Sequence, residues 1–344
     1  MDNIPGMAIY RQAIEEELRR IVTVPEGRAD AMFRMMQYHL GWTDRSWQPV
    51  KGRRGKRVRP VMCLLACEAS SGSWEQALPA AAAIELIHNF TLIHDDIQDN
   101  SLQRHGRDTV WHVWGLAQGI NTGDGMWALA QAAVHRLREQ GRPAETVLAV
   151  SRLLSESCLS LCAGQHLDIR YETLATVSLE DYLAMVRGKT AALLGASCAA
   201  GAILGEAEDR VVELYRGFGT HLGLAYQMVD DILGIWGDAG ATGKPVGADI
   251  LARKKSLPIV HALAWEQRQG RDDLFQLYQR AELRERHVSQ ALEILEQAGS
   301  EAFARELASE ELGKATKALQ ATGIDHPAQD SLAALAFALT RRSA

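Results

Sequence analysis

Residues 74–99 read WEQALPAAAAIELIHNFTLIHDDIQD. Residues 74–94 are apolar almost without interruption, which predicts an α-helix that is buried on most of its sides. Three aspartates, Asp95, Asp96 and Asp99, follow at the end of the apolar run. Because Asp95 and Asp99 are four residues apart, a helix points their carboxylates the same way. The sequence therefore predicts a buried helix that ends in a cluster of acidic side chains.

A second stretch repeats this arrangement. Residues 226–238, YQMVDDILGIWGD, place the pair Asp230 and Asp231 near the end of another apolar helical segment. Neighbouring carboxylates at such a position repel each other and carry a desolvation cost, which a divalent cation removes. Magnesium is typically held by one or two carboxylates together with substrate phosphates. Either cluster alone also fits a solvated helix end, but two clusters, each followed by basic residues, favour a shared cage for metal ions and a diphosphate.

The rest of the chain shows the same helical period, and we find no convincing strand of useful length. The helical segments are residues 9–21, 29–40, 61–69, 110–140, 144–170, 179–204 and 208–235, with shorter ones from 257 to 341. No linker or low-complexity tract interrupts them. We therefore expect an all-α protein in which residues 1–344 form a single domain, a bundle of ten or more helices.

Composition limits the classes of partner and compartment. The formal net charge of -6 argues against nucleic-acid binding, which requires a basic surface. The five cysteines show no Cys-x-x-Cys and no histidine at zinc-like spacing, so we expect reduced thiols in the core. No signal-peptide pattern is present, and the most apolar stretch, 190–204, is shorter than the ~18 apolar residues that span a bilayer. We expect a cytoplasmic protein without a membrane span.

Seven motifs occur in an order that is specific to one family. They are GKRVRP (55–60), LIHDDIQD (92–99), RHG (104–106), GQHLD (164–168), KT (189–190), QMVDD (227–231) and KKSLP (254–258). In these motifs the chain resembles the trans-isoprenyl diphosphate synthases, or polyprenyl synthetases, and within them bacterial geranylgeranyl diphosphate synthases. The resemblance covers residues 35–263 and is weaker in the C-terminal helices. It implies the isoprenoid synthase fold, with helices around a central cavity.

The resemblance also implies a reaction. A Mg²⁺-dependent prenyltransferase would ionise an allylic diphosphate, join the carbocation to isopentenyl diphosphate, and end with loss of a proton. Asp95, Asp99 and Asp230 would hold the metal, three Mg²⁺ ions with bound diphosphate. The implied catalytic set is Asp95, Asp96, Asp99, Lys189, Thr190, Gln227, Asp230, Asp231 and Lys255. Arg104, Lys244 and Lys254 are further candidates for contact with the substrate diphosphate.

The isopentenyl diphosphate site implied by the resemblance is a separate, metal-free basic pocket of Lys56, Arg59 and His88. Its fourth member in the family is the second arginine of Arg-Arg-Gly, and this chain has His105 there. Neutral histidine offers one donor where arginine offers a cationic fork. Binding of this substrate is then weaker, more dependent on pH, or compensated by Arg107.

A second departure from the family lies in the second aspartate motif. Gly234 stands where the long form carries a third aspartate, and Asp238 or a water is expected to fill that role.

Product length in this family depends on what fills the space below the first aspartate motif. Phe90 and its neighbour Thr91 lie there, and Phe90 is five residues before Asp95. An aromatic residue at this position resembles short-chain synthases, although Phe90 equally fits an ordinary core. We expect a C20 product, geranylgeranyl diphosphate, with C15 as the next choice. The family also implies a homodimer, to which the apolar segment 110–137 is a candidate interface.

Two other functions remain open at this point. A terpene cyclase on the same fold needs the aspartates but no pocket for isopentenyl diphosphate, and His105 is the feature in its favour. A non-catalytic partner subunit of a heteromeric synthase is expected to lose its metal-binding aspartates. Both aspartate clusters are present here.

Overall fold

The computed structural model describes residues 4, 6–27, 29–50, 55–237, 246–280 and 282–341. In that part of the chain nearly all regular structure is helical, which confirms the all-α prediction. The helices are α1 (Met7–Ile21), α2 (Asp30–His39), α3 (Val58–Ser71), α4 (Leu78–Gln98), α5 (Val110–Trp114), α6 (Leu116–Glu139), α7 (Ala144–Thr173), α8 (Leu179–Val186), α9 (Ala192–Leu204), α10 (Asp209–Trp236), α11 (Ala248–Leu251), α12 (Leu257–Gln269), α13 (Asp273–Tyr278), α14 (Glu285–Gln297), α15 (Ser300–Gln320) and α16 (Pro327–Thr340).

Two of the predicted helices are interrupted in the structure. The segment 110–140 divides at Gly115, whose φ of 89° separates α5 from α6. The segment 179–204 contains a turn of π-helix, Arg187–Ala191, between α8 and α9. Such π-turns are frequent at functional sites, and this one carries Lys189 and Thr190.

A short antiparallel hairpin was not predicted. It pairs β1 (Gln103–Arg104) with β2 (Arg107–Asp108). His105 and Gly106 between them both have positive φ, 54° and 76°. Two successive left-handed residues are the signature of a type I′ turn, and histidine is among the residues that tolerate this conformation best. Strands of two residues are too short to be read from period-2 alternation.

The chain divides into two compact units, and whether they form one domain stays a prediction. The first unit consists of Met1–Ser155, Ser197–Val212 and Ile324–Ser331. Its centre is α4, which is buried on most sides as the apolar sequence predicted. Small residues allow close packing around it: a Cβ added at Gly123 of α6 would lie 2.5 Å from Cδ2 of His94.

The second unit consists of Glu156–Ala196, Glu213–Gly323 and Leu332–Ala344. One apolar cluster joins α8, α10, α12 and α15 through residues such as Tyr182, Met228 and Val260. A second cluster packs α11 to α14 around Ile259 and Leu277. These clusters fix the C-terminal half of α10, where the second aspartate pair lies.

The cysteines and the apolar helices differ in part from expectation. All five cysteines are free thiols and four are buried, but Cys162 is exposed on α7. The pKa of Cys162 is lowered to about 6 by a hydrogen bond with Cys158.

Among the described residues, α7 rather than 190–204 is long and apolar enough to cross a membrane. Because core helices of soluble proteins meet the same criterion, one such helix is weak evidence for a span.

Candidate active site

The first aspartate motif ends α4 in the way the sequence predicted. Asp95 and Asp96 lie in the last turn, and Asp99 is the C-cap residue, whose N–H donates to the carbonyl oxygen of Asp95 over 2.9 Å. Asp95 and Asp99 are therefore one helical turn apart. Asp96 is buried, whereas Asp99 is exposed.

Arg104 of β1 binds this cluster directly. Its Nη2 donates to Oδ2 of Asp95 over 2.9 Å, and its Nε donates to Oδ1 of Asp96 over 2.7 Å. Burial raises the pKa of Asp96 to about 6 although Arg104 acts in the opposite direction. The structure thus brings two of the predicted aspartates together with Arg104, which was predicted to contact the substrate diphosphate. The carboxylates of this cluster already bind a cationic group.

The predicted isopentenyl diphosphate pocket is partly assembled within the same unit. Nη1 of Arg59 lies 3.3 Å from Nε2 of His88. Burial and the charge of Arg59 lower the pKa of His88 well below its usual value, so the imidazole is neutral and Arg59 supplies the charge. Lys56 is exposed, and its carbonyl oxygen accepts a hydrogen bond from Arg11.

Sequence reasoning missed the residue that holds this pocket in place. Arg57, with a φ of 53°, is buried and donates to Oε1 of Glu85 over 2.5 Å and to Oε2 of Glu15 over 3.2 Å. Arg57 thus connects the segment just before α3 to both α4 and α1. Nothing in the motif marks Arg57 as buried, since it is one of several basic residues in this part of the sequence.

In the second unit, the π-turn meets α7 and α10. The side chains of Lys189 and Asp168 form an ion pair. The Thr190 hydroxyl donates to Oε1 of Gln227 over 2.8 Å, so these two predicted residues are brought together. The backbones are in close contact here, because a Cβ added at Gly164 would lie 2.7 Å from the carbonyl carbon of Gly188.

The two aspartates of the second motif have different environments. Asp231 is buried and accepts from three donors: the Tyr182 hydroxyl (2.7 Å), Nε2 of Gln227 (2.9 Å) and the backbone N–H of Leu257 (2.8 Å). Burial raises the pKa of Asp231 to about 6 against these hydrogen bonds. Asp231 thus fixes Gln227 and the start of α12, whereas Asp230 is only half-buried. No motif in the sequence indicates the part played by Tyr182.

The basic residues before α12 also differ from each other. Lys254 is exposed, while Lys255 is 9 % exposed, with Nζ 4.7 Å from the centre of the Tyr278 ring. Burial lowers the pKa of Lys255, and the charge of Arg253 acts in the same direction. Lys244 and Asp238 lie outside the described residues.

Below the first motif, Phe90 is 8 % exposed and packs edge-on against the His94 ring, with centroids 5.6 Å apart. Nε2 of His94 lies 3.3 Å from the carbonyl oxygen of Ile120 on α6. Thr91 directs its hydroxyl to the carbonyl oxygen of His88 over 2.8 Å. Phe90 is therefore a buried ring that packs on the turn of α4 that carries His94.

The sequence profile of the family described as Polyprenyl synthetase matches residues 42–295. The chain belongs to this family. The residues that suggested the resemblance lie within the matched part, so the prediction of the family is confirmed.

Relatives and solved structures agree with the family assignment. The chain is 41% identical to a geranylgeranyl diphosphate synthase of Mycobacterium tuberculosis over 295 residues, 86% of this chain and 83% of the relative. It is 40% identical to a (2E,6E)-farnesyl diphosphate synthase of the same species over 262 residues, 76% and 70% of the two chains. The crystal structure of a polyprenyl synthetase from Streptomyces coelicolor A3(2) superposes with a TM-score of 0.88 at 37% identity, covering 97% and 98% of the two chains. The chain described here is thus a prenyltransferase, as predicted.

The departure of this polyprenyl synthetase at Gly234 now has a structural explanation. A Cβ at Gly234 would lie 2.5 Å from Cγ of Asp249 on α11. The carboxylate of Asp249 thus occupies the space beside α10 that a side chain at position 234 would need. The expectation that Asp238 or a water fills that role stays a prediction, since Asp238 lies outside the described residues.

Arg107, named as a possible compensation for His105, binds backbone oxygens in this structure. Nη1 of Arg107 donates to the carbonyl oxygen of Tyr38 over 3.1 Å, and Nη2 donates to that of Thr43 over 2.7 Å. These bonds direct the guanidinium to the backbone of α2 and the following loop. His105 itself is exposed at the tip of the hairpin.

Proposed function

We propose that this polyprenyl synthetase joins isopentenyl diphosphate to an allylic diphosphate and that its main product is geranylgeranyl diphosphate. The observation that carries the proposal is the pairing of Arg59 with neutral His88, next to the exposed Lys56. A basic pocket separate from the aspartates is needed to bind an extender substrate. An enzyme that only cyclises an allylic diphosphate has no use for it.

Magnesium fits the acidic residues in chemical type. Asp95 and Asp96 already bind the guanidinium of Arg104, so their oxygens are oriented towards a cation. Over the described residues, no three His, Cys, Asp or Glu side chains form a ready metal site. Magnesium held by Asp95, Asp99 and Asp230 would therefore complete its ligand set with diphosphate oxygens, as it commonly does. Bound magnesium supplies the positive charge that stabilises a departing diphosphate.

The chain's own residues orient the substrate and protect the carbocation. Arg104 and Lys189 supply fixed positive charge for the diphosphate, and such pre-oriented charge favours ionisation of the allylic carbon–oxygen bond. Gln227 donates to Asp231 and accepts from Thr190, so its amide cannot rotate freely. The oxygens of Thr190 and Gln227 are thereby held for a carbocation. The departing diphosphate accepts the final proton in this proposal.

The length of the product follows from Phe90. This buried ring occupies the space one turn before Asp95, which favours a C15 to C20 chain over a longer one. The relatives include both geranylgeranyl and farnesyl diphosphate synthases. We expect Phe90→Ala to shift the product towards longer chains, whereas Ile84→Ala, another buried truncation six residues earlier in α4, should leave the product distribution unchanged.

The decisive experiment supplies purified protein with Mg²⁺, isopentenyl diphosphate and, in turn, dimethylallyl, geranyl or farnesyl diphosphate. Phosphatase-released alcohols and headspace hydrocarbons are both identified by mass spectrometry. Geranylgeraniol that appears only with isopentenyl diphosphate supports the proposal. A cyclic hydrocarbon from an allylic diphosphate alone would establish the cyclase, the alternative that His105 favours. No product from either substrate set would point to a partner subunit of a heteromeric synthase.

The assembly proposed is a homodimer. Leu116, Ile120 and Trp127 share one face of α6 and are 40–55 % exposed. Clustered exposed apolar side chains commonly mark an interface. Trp127→Glu is expected to halve the mass measured by light scattering after size exclusion, and an unchanged mass would exclude this face.

We further propose a cytoplasmic protein that neither spans a membrane nor binds nucleic acid.

A further inference from the structure

The hairpin that carries Arg104 and His105 is too small to hold its own position. Each strand has two residues, and the turn between them consists of two left-handed residues. An isolated hairpin is at best marginally stable in water, even when its strands are longer. Thr109 fixes the base of the hairpin, since its N–H donates to the carbonyl oxygen of Leu102 and its hydroxyl to that of Ser101. The strand β2 needs a further attachment.

Arg107 of β2 supplies this attachment. Its two bonds to the carbonyl oxygens of Tyr38 and Thr43, 3.1 and 2.7 Å long, grip the end of α2 and the loop beyond it. The guanidinium also lies over the Tyr38 ring, 4.3 Å from the ring centre. A planar fork that binds two acceptors while stacking on a ring is a role for arginine that lysine does not reproduce.

Tyr38 also contacts β2 through its own side chain. Its hydroxyl donates to the carbonyl oxygen of Asp108 over 2.7 Å, so Tyr38 and β2 are joined at two neighbouring residues. The Tyr38 ring is 6 % exposed and meets Trp114 edge-on at 4.9 Å. Trp114 in turn stacks on Trp47 at 5.1 Å, with the rings 6° from parallel. The anchor for β2 is therefore itself rigidly packed.

We propose that Arg107 and Tyr38 form a clamp that positions the hairpin, so that Arg104 and His105 are presented to the substrate diphosphates. Arg107 is a positioning residue in this scheme and does not replace the arginine missing at position 105. The inference rests on the proposed function in one respect, that Arg104 and His105 bind diphosphate. The link to the site is direct, because Arg104 in the partner strand β1 holds Asp95 and Asp96.

The test uses Arg107→Leu, Arg107→Lys and Tyr38→Phe, and two readouts. Hydrogen exchange of residues 102–109 is measured without substrate, and KM and kcat are measured for both diphosphates. We expect faster exchange in the hairpin for all three variants, without a matching change elsewhere. Displacement of the hairpin should raise KM for both substrates and lower kcat/KM by about tenfold, within the range known for small misplacements. Arg142→Leu, which removes an arginine bound to Gln76 and Glu206 in the same unit, should change neither readout.

Tyr38→Phe separates the clamp from its main alternative. It removes one hydroxyl that bonds to Asp108 and leaves the ring in place, so it should act in the same direction as Arg107→Leu. The double variant Arg107→Leu/Tyr38→Phe removes both attachments of β2 and should be at least as severe as either single variant. If Arg107→Leu raises KM for isopentenyl diphosphate alone, while Tyr38→Phe changes neither KM nor hairpin exchange, Arg107 binds substrate and the clamp is refuted. Unchanged exchange in all three variants also refutes it. Should the wild type fail to condense the two diphosphates, the exchange readout still tests the clamp by itself.

Discussion

Replacing Gly164 by alanine tests how closely the backbone that carries Lys189 depends on α7. The new Cβ would lie 2.7 Å from the carbonyl carbon of Gly188 and 2.8 Å from Cα of Lys189. The nearest atom would be the backbone nitrogen of Lys189, and since ordinary van der Waals contact begins at 3.4 Å, the π-turn must move by more than about 1 Å. The neighbours are backbone atoms, which cannot rotate away as the end of a side chain can.

Two effects of opposite sign determine the magnitude. Alanine in a helix interior is favoured over glycine by roughly 0.5–1 kcal/mol. Overpacking of a close contact costs about 1–3 kcal/mol, and backbone neighbours place this site at the upper end. We therefore expect Gly164→Ala to lower the free energy of unfolding by about 2 kcal/mol. Displacement of Lys189 and its ion pair with Asp168 should also reduce kcat/KM by between tenfold and a hundredfold.

The assay is urea unfolding followed by circular dichroism, together with steady-state kinetics with Mg²⁺ and both diphosphates. Gly313→Ala on α15 is the matched control, because a Cβ there has no heavy atom within 4 Å. It should raise stability by about 0.4–1 kcal/mol and leave activity unchanged. If Gly164→Ala proves as stable and as active as Gly313→Ala, the close approach of the two backbones is wrong.

Three further predictions concern buried charge and space. Arg57→Leu should lower the free energy of unfolding by about 3–5 kcal/mol in urea melts, because it leaves the buried carboxylate of Glu85 without its ion-pair partner; a loss below 1 kcal/mol would show that the pair contributes little. Gly234→Asp, which restores the long form of the family motif, should lower the melting temperature and activity because Asp249 fills that space, and adding Asp249→Gly should recover part of both. Burial and nearby arginines lower the pKa of His39 to about 3. Between pH 6.5 and about pH 3, His39 is therefore protonated in the unfolded chain but neutral in the native state. The free energy of unfolding should therefore decrease as the pH is lowered through that window, and it should decrease less steeply in His39→Asn. Equal pH dependence in the two proteins would refute the lowered pKa of His39.

The fold class followed from local pattern. The buried helix α4 was read from its apolar run, and the spacing of Asp95 and Asp99 survived because Asp99 still donates to the carbonyl oxygen of Asp95 at the helix end. The hairpin was missed since its strands have two residues each. The break at Gly115 was missed because a single glycine in a helical pattern is usually tolerated.

Seven motifs in one order define the family, so the family could be read from the sequence alone, and the profile of that family matches residues 42–295. The folded structure set the contacts that several residues in and near these motifs make. It gave Asp231 three donors, set Lys255 over Tyr278, and turned Arg107 towards the backbone of α2. The physical reason is distance along the chain. Most of these partners come from elements tens of residues away, and periodicity encodes which face a side chain occupies but not which atom it meets there.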